Sequence, residues 1–196
     1  MSKKWDLIAR IVDIELEMFL SVRADGKYSC QEHPDMFRLH RRAQFSAWSE
    51  DTLTSYLNTL ERAKDEGANL MAVKYAIMEG LIPRENLNPI IDKIVATQYK
   101  WQMEMFKKYP CLMAGARPMS QSEDSDNNTS FETYLKGELD TYSDNTLSLL
   151  YRDITEKEKK GSNMSEEVYE YLVKELGYKS IEHAEESQKR RSPDCS

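Results

Sequence analysis

Apolar residues recur at three- and four-residue spacing along most of the chain, which is the pattern of amphipathic helices. Near the start of the chain, Trp5, Ile8 and Val12 begin such a pattern, and it predicts a helix of about six turns over residues 2–23. Further helices are predicted over residues 35–48, 52–66, 70–80, 90–109, 131–142, from about 144, and over 165–178. The hydrophobic pattern therefore predicts an all-α fold.

Cap and breaker residues support the same helix boundaries. Ser49 and Asn69 are typical N-cap residues for the helices that follow them, and Thr129 with Glu132 forms a capping-box pattern. The chain has only 7 glycines and 6 prolines, and long stretches free of both favour helices over a turn-rich β fold. We therefore expect a single-domain bundle of about six to eight helices, with a helical extension at the C-terminus.

Composition divides the chain into three parts. Residues 1–155 hold most of the apolar helix faces and are predicted to form a helical core domain, with a solvated acidic loop at 120–130. Residues 156–182 are predicted to form the C-terminal helical extension, which contains the tyrosine-rich sequence SEEVYEYLVKELGY. Residues 183–196 have too few apolar side chains to order themselves, so we expect a disordered tail there.

Three acidic residues in the first helix are not equivalent. At about 100° per residue, Glu15 falls in the middle of the apolar arc, whereas Asp13 and Glu17 fall on the opposite side. Glu138 and Lys74 likewise lie at the centres of the apolar faces of their helices. An unpaired buried carboxylate or ammonium group is strongly destabilising, so Glu15, Glu138 and Lys74 need partners.

Three neutral polar residues add to this set. His40, Gln44 and Gln98 are also predicted to lie among apolar side chains on their helices. The economical interpretation is that the three ionisable residues meet around one polar cavity, with these neutral residues near it. The alternative is that each group is satisfied separately, by a tyrosine hydroxyl, an arginine or a backbone group, and holds the helices in register.

Two carboxylates that share a dry pocket would differ in pKa and could act as an acid and a base. A desolvated lysine beside them could act as a base or as a Schiff-base nucleophile. The predicted function is therefore a small-molecule enzyme that acts on an amine-bearing or amino-acid-like substrate. The predicted catalytic residues are Glu15, Lys74 and Glu138, and the predicted substrate-binding residues are His40, Gln44, Gln98, Arg42 and Tyr134.

Functions of other classes stay open. The same cavity could serve a non-catalytic module that binds a small molecule, and the tyrosine-rich C-terminal helix could dock a partner protein. Arg41 and Arg42 could receive a carboxylate or a phosphate, although such arginines are more often surface or helix-bridging charges. A cofactor and an oligomeric state do not follow from the sequence.

Metal, nucleic-acid and membrane sites are not expected. Neither Glu15 nor Glu138 has the Glu-x-x-His spacing of a di-iron bundle, and Cys30 and His33 lack a fourth ligand for zinc. The net charge of −7 argues against nucleic acid or an anionic membrane as the main partner, and no apolar run approaches a membrane span. Three cysteines without a CxxC pair disfavour a disulfide framework and suit a cytoplasmic protein.

Five stretches carry a resemblance: EMF at 17–19, SCQ at 29–31, FRLHRRAQF at 37–45, NLMAVKY at 69–75 and, most specific, TSFETYLKGELDTYS at 129–143. Together they resemble an uncharacterised bacterial family, domain of unknown function 4125 (DUF4125), over about residues 5–155. The residues that match its motif positions are Gln44, Lys74, Tyr75 and Glu138. His40 and Val73 depart from the pattern, so a general catalytic role for His40 is not implied. The resemblance implies a bacterial, cytoplasmic, single-domain protein and no activity.

Overall fold

The computed structural model describes residues 2–22, 32–125 and 128–192, and within these ranges it contains ten α-helices and no β-strand. The helices are α1 (Lys3–Leu20), α2 (Pro34–Ser46), α3 (Glu50–Asp65), α4 (Leu70–Met78), α5 (Ile90–Lys108), α6 (Pro110–Met113), α7 (Phe131–Leu139), α8 (Asp144–Lys159), α9 (Met164–Glu175) and α10 (Ile181–Arg191). The all-α prediction is confirmed. None of the described helices has the length and apolar character needed to cross a membrane.

The main hydrophobic core lies between two groups of helices. Helix α1 packs against α2, α3 and α4, whereas α5 packs against α7, α8 and α9, and α3 joins α8 across the bundle. The side chains that close this core are almost wholly buried: Ile8, Ile11, Val12, Phe19, Phe45, Leu53, Leu60, Ile91, Ile94, Leu139, Leu147 and Ile154. These residues repeat at helical spacing within each helix, so the apolar pattern of the sequence could predict where the helices lie.

A second, smaller core forms at the C-terminal end of the chain. It joins the end of α5 to α6, α9 and α10, and its members are Met105, Tyr109, Met113, Val173, Ile181 and Ala184. Polar contacts fix α10 over α6, because the Glu185 carboxylate accepts hydrogen bonds from the backbone amides of Cys111 (3.1 Å) and Leu112 (2.6 Å). Tyr109 Oη also donates to Glu182 Oε1 (2.8 Å).

Helix α10 corrects the expectation of a disordered tail from residue 183. The chain is helical through Arg191, and residues 193–196 lie outside the described ranges. The apolar content of α10 is low, as the sequence indicated, but Ile181 and Ala184 are buried against other helices and Ser180 caps its first turn. Tertiary packing therefore orders a segment whose own composition is weak.

The predicted division between core and extension falls inside a helix. Residues 155 and 156 both belong to α8, which ends at Lys159. Beyond it, α9 packs against α2 and α5, and Asn163 Nδ2 donates to the carbonyl oxygen of Trp101 (3.1 Å). The division into domains stays a prediction, but the contacts of α9 tie the extension to the bundle.

Helix caps agree with the sequence at two of three places. Ser49 accepts from the amide of Thr52, and Asn69 accepts from the amide of Ala72. At α7 the cap is Ser130, whose Oγ accepts from the amide of Thr133 (3.2 Å), and not Thr129. The capping-box prediction is wrong, because the Glu132 carboxylate accepts hydrogen bonds from Gln121 N and Lys136 Nζ and not from the backbone amide of the N-cap residue.

The cysteine prediction is corrected at Cys111, which is disulfide-bonded. The sequence pattern disfavours a disulfide framework because the three cysteines are odd in number and widely spaced. The other two, Cys30 and Cys195, lie outside the described residues. The zinc alternative at Cys30 and His33 therefore includes a residue outside the described ranges. The cysteine count therefore no longer supports a reducing compartment, and the cytoplasmic location stays a prediction.

Candidate functional site

Four ionisable side chains from four different helices meet inside the bundle. Glu15 comes from α1, Arg41 from α2, Lys74 from α4 and Glu138 from α7, and no one of these residues is more than 4% exposed. We call these four residues the buried cluster. Two of its members are acidic and two are basic, so the formal charges balance within the protein interior.

Arg41 lies at the centre of the buried cluster. Its guanidinium group makes a two-pronged contact with Glu15, from Nε to Oε2 (2.7 Å) and from Nη2 to Oε1. Its third nitrogen, Nη1, donates to Glu138 Oε1 (3.0 Å) and Oε2 (3.1 Å) and to Gln44 Oε1 (2.7 Å). One arginine thus bridges both carboxylates, which uses the fixed fork of donors that a lysine lacks.

Glu138 collects the most partners. Besides Arg41, it accepts from Lys74 Nζ (2.6 Å), Gln44 Nε2 (2.8 Å) and Tyr142 Oη (2.6 Å). Burial by itself would raise the pKa of the Glu138 carboxyl, but the charges of Arg41 and Lys74 outweigh burial and hold that pKa well below its usual range. Glu138 is therefore ionised at neutral pH.

Two buried tyrosines donate hydrogen bonds to the carboxylates of the buried cluster. Tyr56 Oη donates to Glu15 Oε1 (2.7 Å), as Tyr142 Oη does to Glu138, and the two rings lie 4.7 Å apart between centroids. Burial and the adjacent carboxylates raise the pKa of both hydroxyls well above the usual tyrosine value. Below the guanidinium of Arg41, the ring of Phe45 lies 4.7 Å from the Cζ atom.

A glycine sets the distance between α4 and α7. A Cβ atom added at Gly137 would lie 2.6 Å from Met78 Cγ and 3.4 Å from the carbonyl oxygen of Lys74. The absence of a side chain therefore lets α7 approach α4 closely enough for Glu138, the next residue, to reach Lys74.

The structure brings four of the predicted site residues together. Glu15, Lys74 and Glu138 are buried: Glu15 and Glu138 both bond to Arg41, and Lys74 bonds to Glu138. Gln44 bridges Arg41 and Glu138. The sequence predicted that these side chains surround a polar cavity. Instead Lys74 and Gln44 bond directly to Glu138, and Arg41 bridges Glu138 to Glu15. In the described part of the chain, every buried side-chain nitrogen and oxygen has a hydrogen-bond partner.

The other predicted site residues lie apart from the hydrogen bonds of the buried cluster. The prediction of a buried face at His40 is wrong, because His40 is exposed on α2, and Arg42 is exposed as well. Gln98 is half-buried on α5, and among the described residues it makes no hydrogen bond to the buried cluster. Tyr134 is nearest, since Lys74 Nζ lies 3.6 Å from the centre of its ring and Arg117 Cζ lies 4.6 Å from it.

Sequence reasoning missed Arg41, Tyr56 and Tyr142 as partners of the buried acids. In the sequence, Arg41 is one of two adjacent arginines. Its three-residue spacing from Gln44 is the available signal, because residues three apart share a helix face. Tyr142 is four residues after Glu138, so the same spacing rule could have found it. No local pattern marks Tyr56, which reaches Glu15 from another helix.

Two surface clefts lie away from the buried cluster. One, of about 240 Å³, is lined by Ser55, Asn58, Thr59, Arg62, Ser143 and Asn145. The other, of about 450 Å³, lies between the start of α9 and α10, and three of its glutamates (Glu166, Glu167 and Glu170) are paired with lysines. Within the described ranges, no group of three or more His, Cys, Asp or Glu side chains is placed to hold a metal ion.

The comparison with known families agrees with the extent of the helical bundle. The family model described as "protein of unknown function (DUF4125)" matches residues 5–186. The chain belongs to the DUF4125 family. The match continues through α9 and into α10, so it exceeds the resemblance over 5–155 that the sequence motifs indicated. Comparison of this DUF4125 chain with curated proteins and with solved structures finds no match.

Proposed function

We propose that this protein is a non-catalytic helical module that binds a partner protein through the connection between α4 and α5. We call residues 79–89 the apolar segment. Leu81 and Leu87 are 72% and 85% exposed and Ile82 is 40% exposed, so three large aliphatic side chains of one connection point into solvent. Three large aliphatic side chains exposed within one short connection make it a candidate interaction site.

The apolar segment is held in place by hydrogen bonds from some of its polar residues to the bundle. Arg84 donates to Asp140 from Nε (2.5 Å) and Nη2 (2.9 Å), and the Asp140 side chain is fully buried beneath it. Asn86 Nδ2 donates to the carbonyl oxygen of Tyr142 (3.0 Å). Arg84 and Asn86 therefore tie the segment to the bundle, while its large aliphatic side chains face solvent.

Further along the segment, Asn88 acts as a local clamp. Its side-chain amide donates to Asp144 Oδ1 (2.7 Å), and its Oδ1 accepts from the backbone amide of Ile90 (3.0 Å). A connection fixed at several points loses little conformational entropy when a partner binds, so its exposed leucines are preorganised for contact. This anchored segment with exposed aliphatic side chains is the observation that carries the proposal.

The buried cluster supports a structural role more than a catalytic one. Its charges balance, its carboxylates are saturated with hydrogen bonds, and the low pKa of Glu138 leaves that group without a proton to donate at neutral pH. A general acid or base works best with a pKa near the operating pH. The enzymatic interpretation, with Glu15, Lys74 and Glu138 acting on an amine-bearing substrate, stays a prediction that requires the cluster to open.

The proposed function is tested by site-specific photocrosslinking in the native host. A benzophenone amino acid replaces Leu87, and any crosslinked protein is identified, purified and titrated against the purified module by calorimetry. The same label at Leu176, another exposed leucine (49%), serves as the control. We expect an adduct at position 87 only, and binding that is lost in the Leu81→Ser/Leu87→Ser variant. Equal binding by the variant and the wild-type protein would contradict the proposal.

A further inference from the structure

Resting on the partner-binding function proposed above, we infer that the apolar segment docks a basic amphipathic helix of another protein. The first reason is the chemistry of its exposed side chains. Leu81, Ile82 and Leu87 are aliphatic and stand out from the surface within one short connection. A partner helix with apolar side chains at i, i+3 or i+4 and i+7 is the common way to cover such a surface.

The second reason is the charge around those side chains. Glu85, Asp92 and Asp144 are exposed and lie on the segment or at the helix starts next to it. The arginine of the segment, Arg84, does not offset them, because its charge is neutralised by the buried carboxylate of Asp140. The apolar segment therefore has an acidic rim, and a partner with lysines or arginines beside its apolar stripe complements that rim.

Lys93 places a positive charge beside this rim. Lys93, one residue after Asp92, lies over the ring of Tyr151 with its Nζ 5.7 Å from the ring centre. Lys93 offsets one of the three acids Glu85, Asp92 and Asp144, and Arg84 is paired with Asp140, so these residues together keep a net negative charge. A second copy of this chain would bring a like-charged rim against it, and an anionic lipid surface would be repelled in the same way.

The anchoring of the segment links docking to the interior of the bundle. Asn86 bonds to the backbone carbonyl of Tyr142, and the hydroxyl of that same tyrosine donates to Glu138 in the buried cluster. The contacts therefore run from the apolar segment, through Asn86 and Tyr142, to Glu138 in the buried cluster. This gives the buried cluster a use in the proposed function, because it fixes the position of the element against which the segment is tied.

The experiment uses the full-length protein and two designed peptides of about 18 residues, which is about five helical turns. Both peptides carry leucines at i, i+3, i+4 and i+7. One carries lysines at the flanking positions and the other carries glutamates there. Binding is measured by fluorescence anisotropy at low and at high salt. We expect the lysine peptide to bind at least about tenfold more tightly than the glutamate peptide, with an advantage that shrinks as salt rises.

Charge-reversal variants separate the rim from the overall charge of the protein. Glu85→Lys with Asp92→Lys should remove the preference for the lysine peptide. The control, Asp65→Lys with Glu66→Lys at the exposed end of α3, changes the net charge equally and should keep the preference. If both double variants behave alike, the binding is a general charge effect and the inference is wrong.

The remaining outcomes distinguish this inference from the function on which it rests. Equal binding of the two peptides, or no binding of the lysine peptide, would overturn the inference that the partner is a basic helix. The crosslinking experiment would then still test whether a partner docks at the leucines. Lysine-peptide binding that survives Leu81→Ser/Leu87→Ser unchanged would overturn both, because the apolar segment would then take no part.

Discussion

Lys74 and Glu138, which are 64 residues apart in the sequence, form a 2.6 Å ion pair in which neither side chain is more than 4% exposed. Removing two charges from water is costly, and the attraction between them compensates only where the geometry is good and the other polar atoms are satisfied. Both conditions hold here, because Glu138 also bonds to Arg41, Gln44 and Tyr142. The pair is thus more informative about which helices must meet than about net stability.

Replacing Glu138 by Gln should lower the free energy of unfolding by about 3–5 kcal/mol, because it leaves two buried cations with too little negative charge. Urea unfolding followed by circular dichroism measures this change. Glu17→Gln is the matched control, since Glu17 pairs with Lys64 on the surface and should cost less than about 1 kcal/mol. If Glu138→Gln held or raised stability, the cluster would be a functional site that is maintained at the expense of stability.

Acidification should destabilise the protein through the same residue. The pKa of Glu138 is lower in the folded protein than in the unfolded chain, so the unfolded chain takes up the proton first as the pH falls. Its contribution is complete above the unfolded value of about 4.3 and is lost as the pH falls toward the lower folded value. Urea midpoints measured between about pH 7 and pH 3 should decline more steeply in the wild-type protein than in Glu138→Gln. Parallel curves would contradict this assignment.

Gly137→Ala should destabilise the contact between α4 and α7 by about 1–3 kcal/mol, because the new methyl group meets Met78 Cγ. The test is a double-mutant cycle with Met78→Ala, which removes the Cγ atom from the clash. We expect the second substitution to cost less in the Gly137→Ala background than in the wild-type protein. Strict additivity of the two effects would mean that the close approach is not what makes glycine necessary.

Truncation should distinguish the two C-terminal helices. Ending the chain after Lys160 removes α9 together with α10. In α9, Met164 belongs to the main core, Val168 packs against it, and Tyr171 stacks on Trp5. We expect this variant to lose most of its stability. Ending the chain after Lys179 removes only α10 and the cover over the second core, so its melting temperature should fall less. Equal melting of the shorter variant and the full chain would establish α9 as a separate extension.

The helices and the buried acids could be predicted because both depend on periodicity within a single element. Glu15, Lys74 and Glu138 each stand in the middle of an apolar face, and burial follows from that position. His40 was misjudged because the neighbouring Arg41, about 100° away around the helix, is the residue that points inward. Which of two adjacent polar residues is buried depends on the charges that the other helices present.

Partners from distant elements could not be predicted in the same way. Tyr56 reaches Glu15 across 41 residues, and no spacing rule connects them. The exposure of the apolar segment could not be predicted either. In the sequence, leucines near prolines have the same pattern as the last apolar residues of a helix. The order of α10 depends on Glu185 and on the amides of α6, which a compositional argument cannot weigh.

The sequence separations within the buried cluster have a consequence for how the chain folds. Glu15 and Arg41 are 26 residues apart, but Arg41 and Glu138 are 97 residues apart, so the four charges come together only through long-range closure. During synthesis, the N-terminal helices emerge from the ribosome well before α7 and hold their charged groups in water until it arrives. We therefore expect the cluster to form late in folding, and late contacts affect the unfolding rate more than the folding rate.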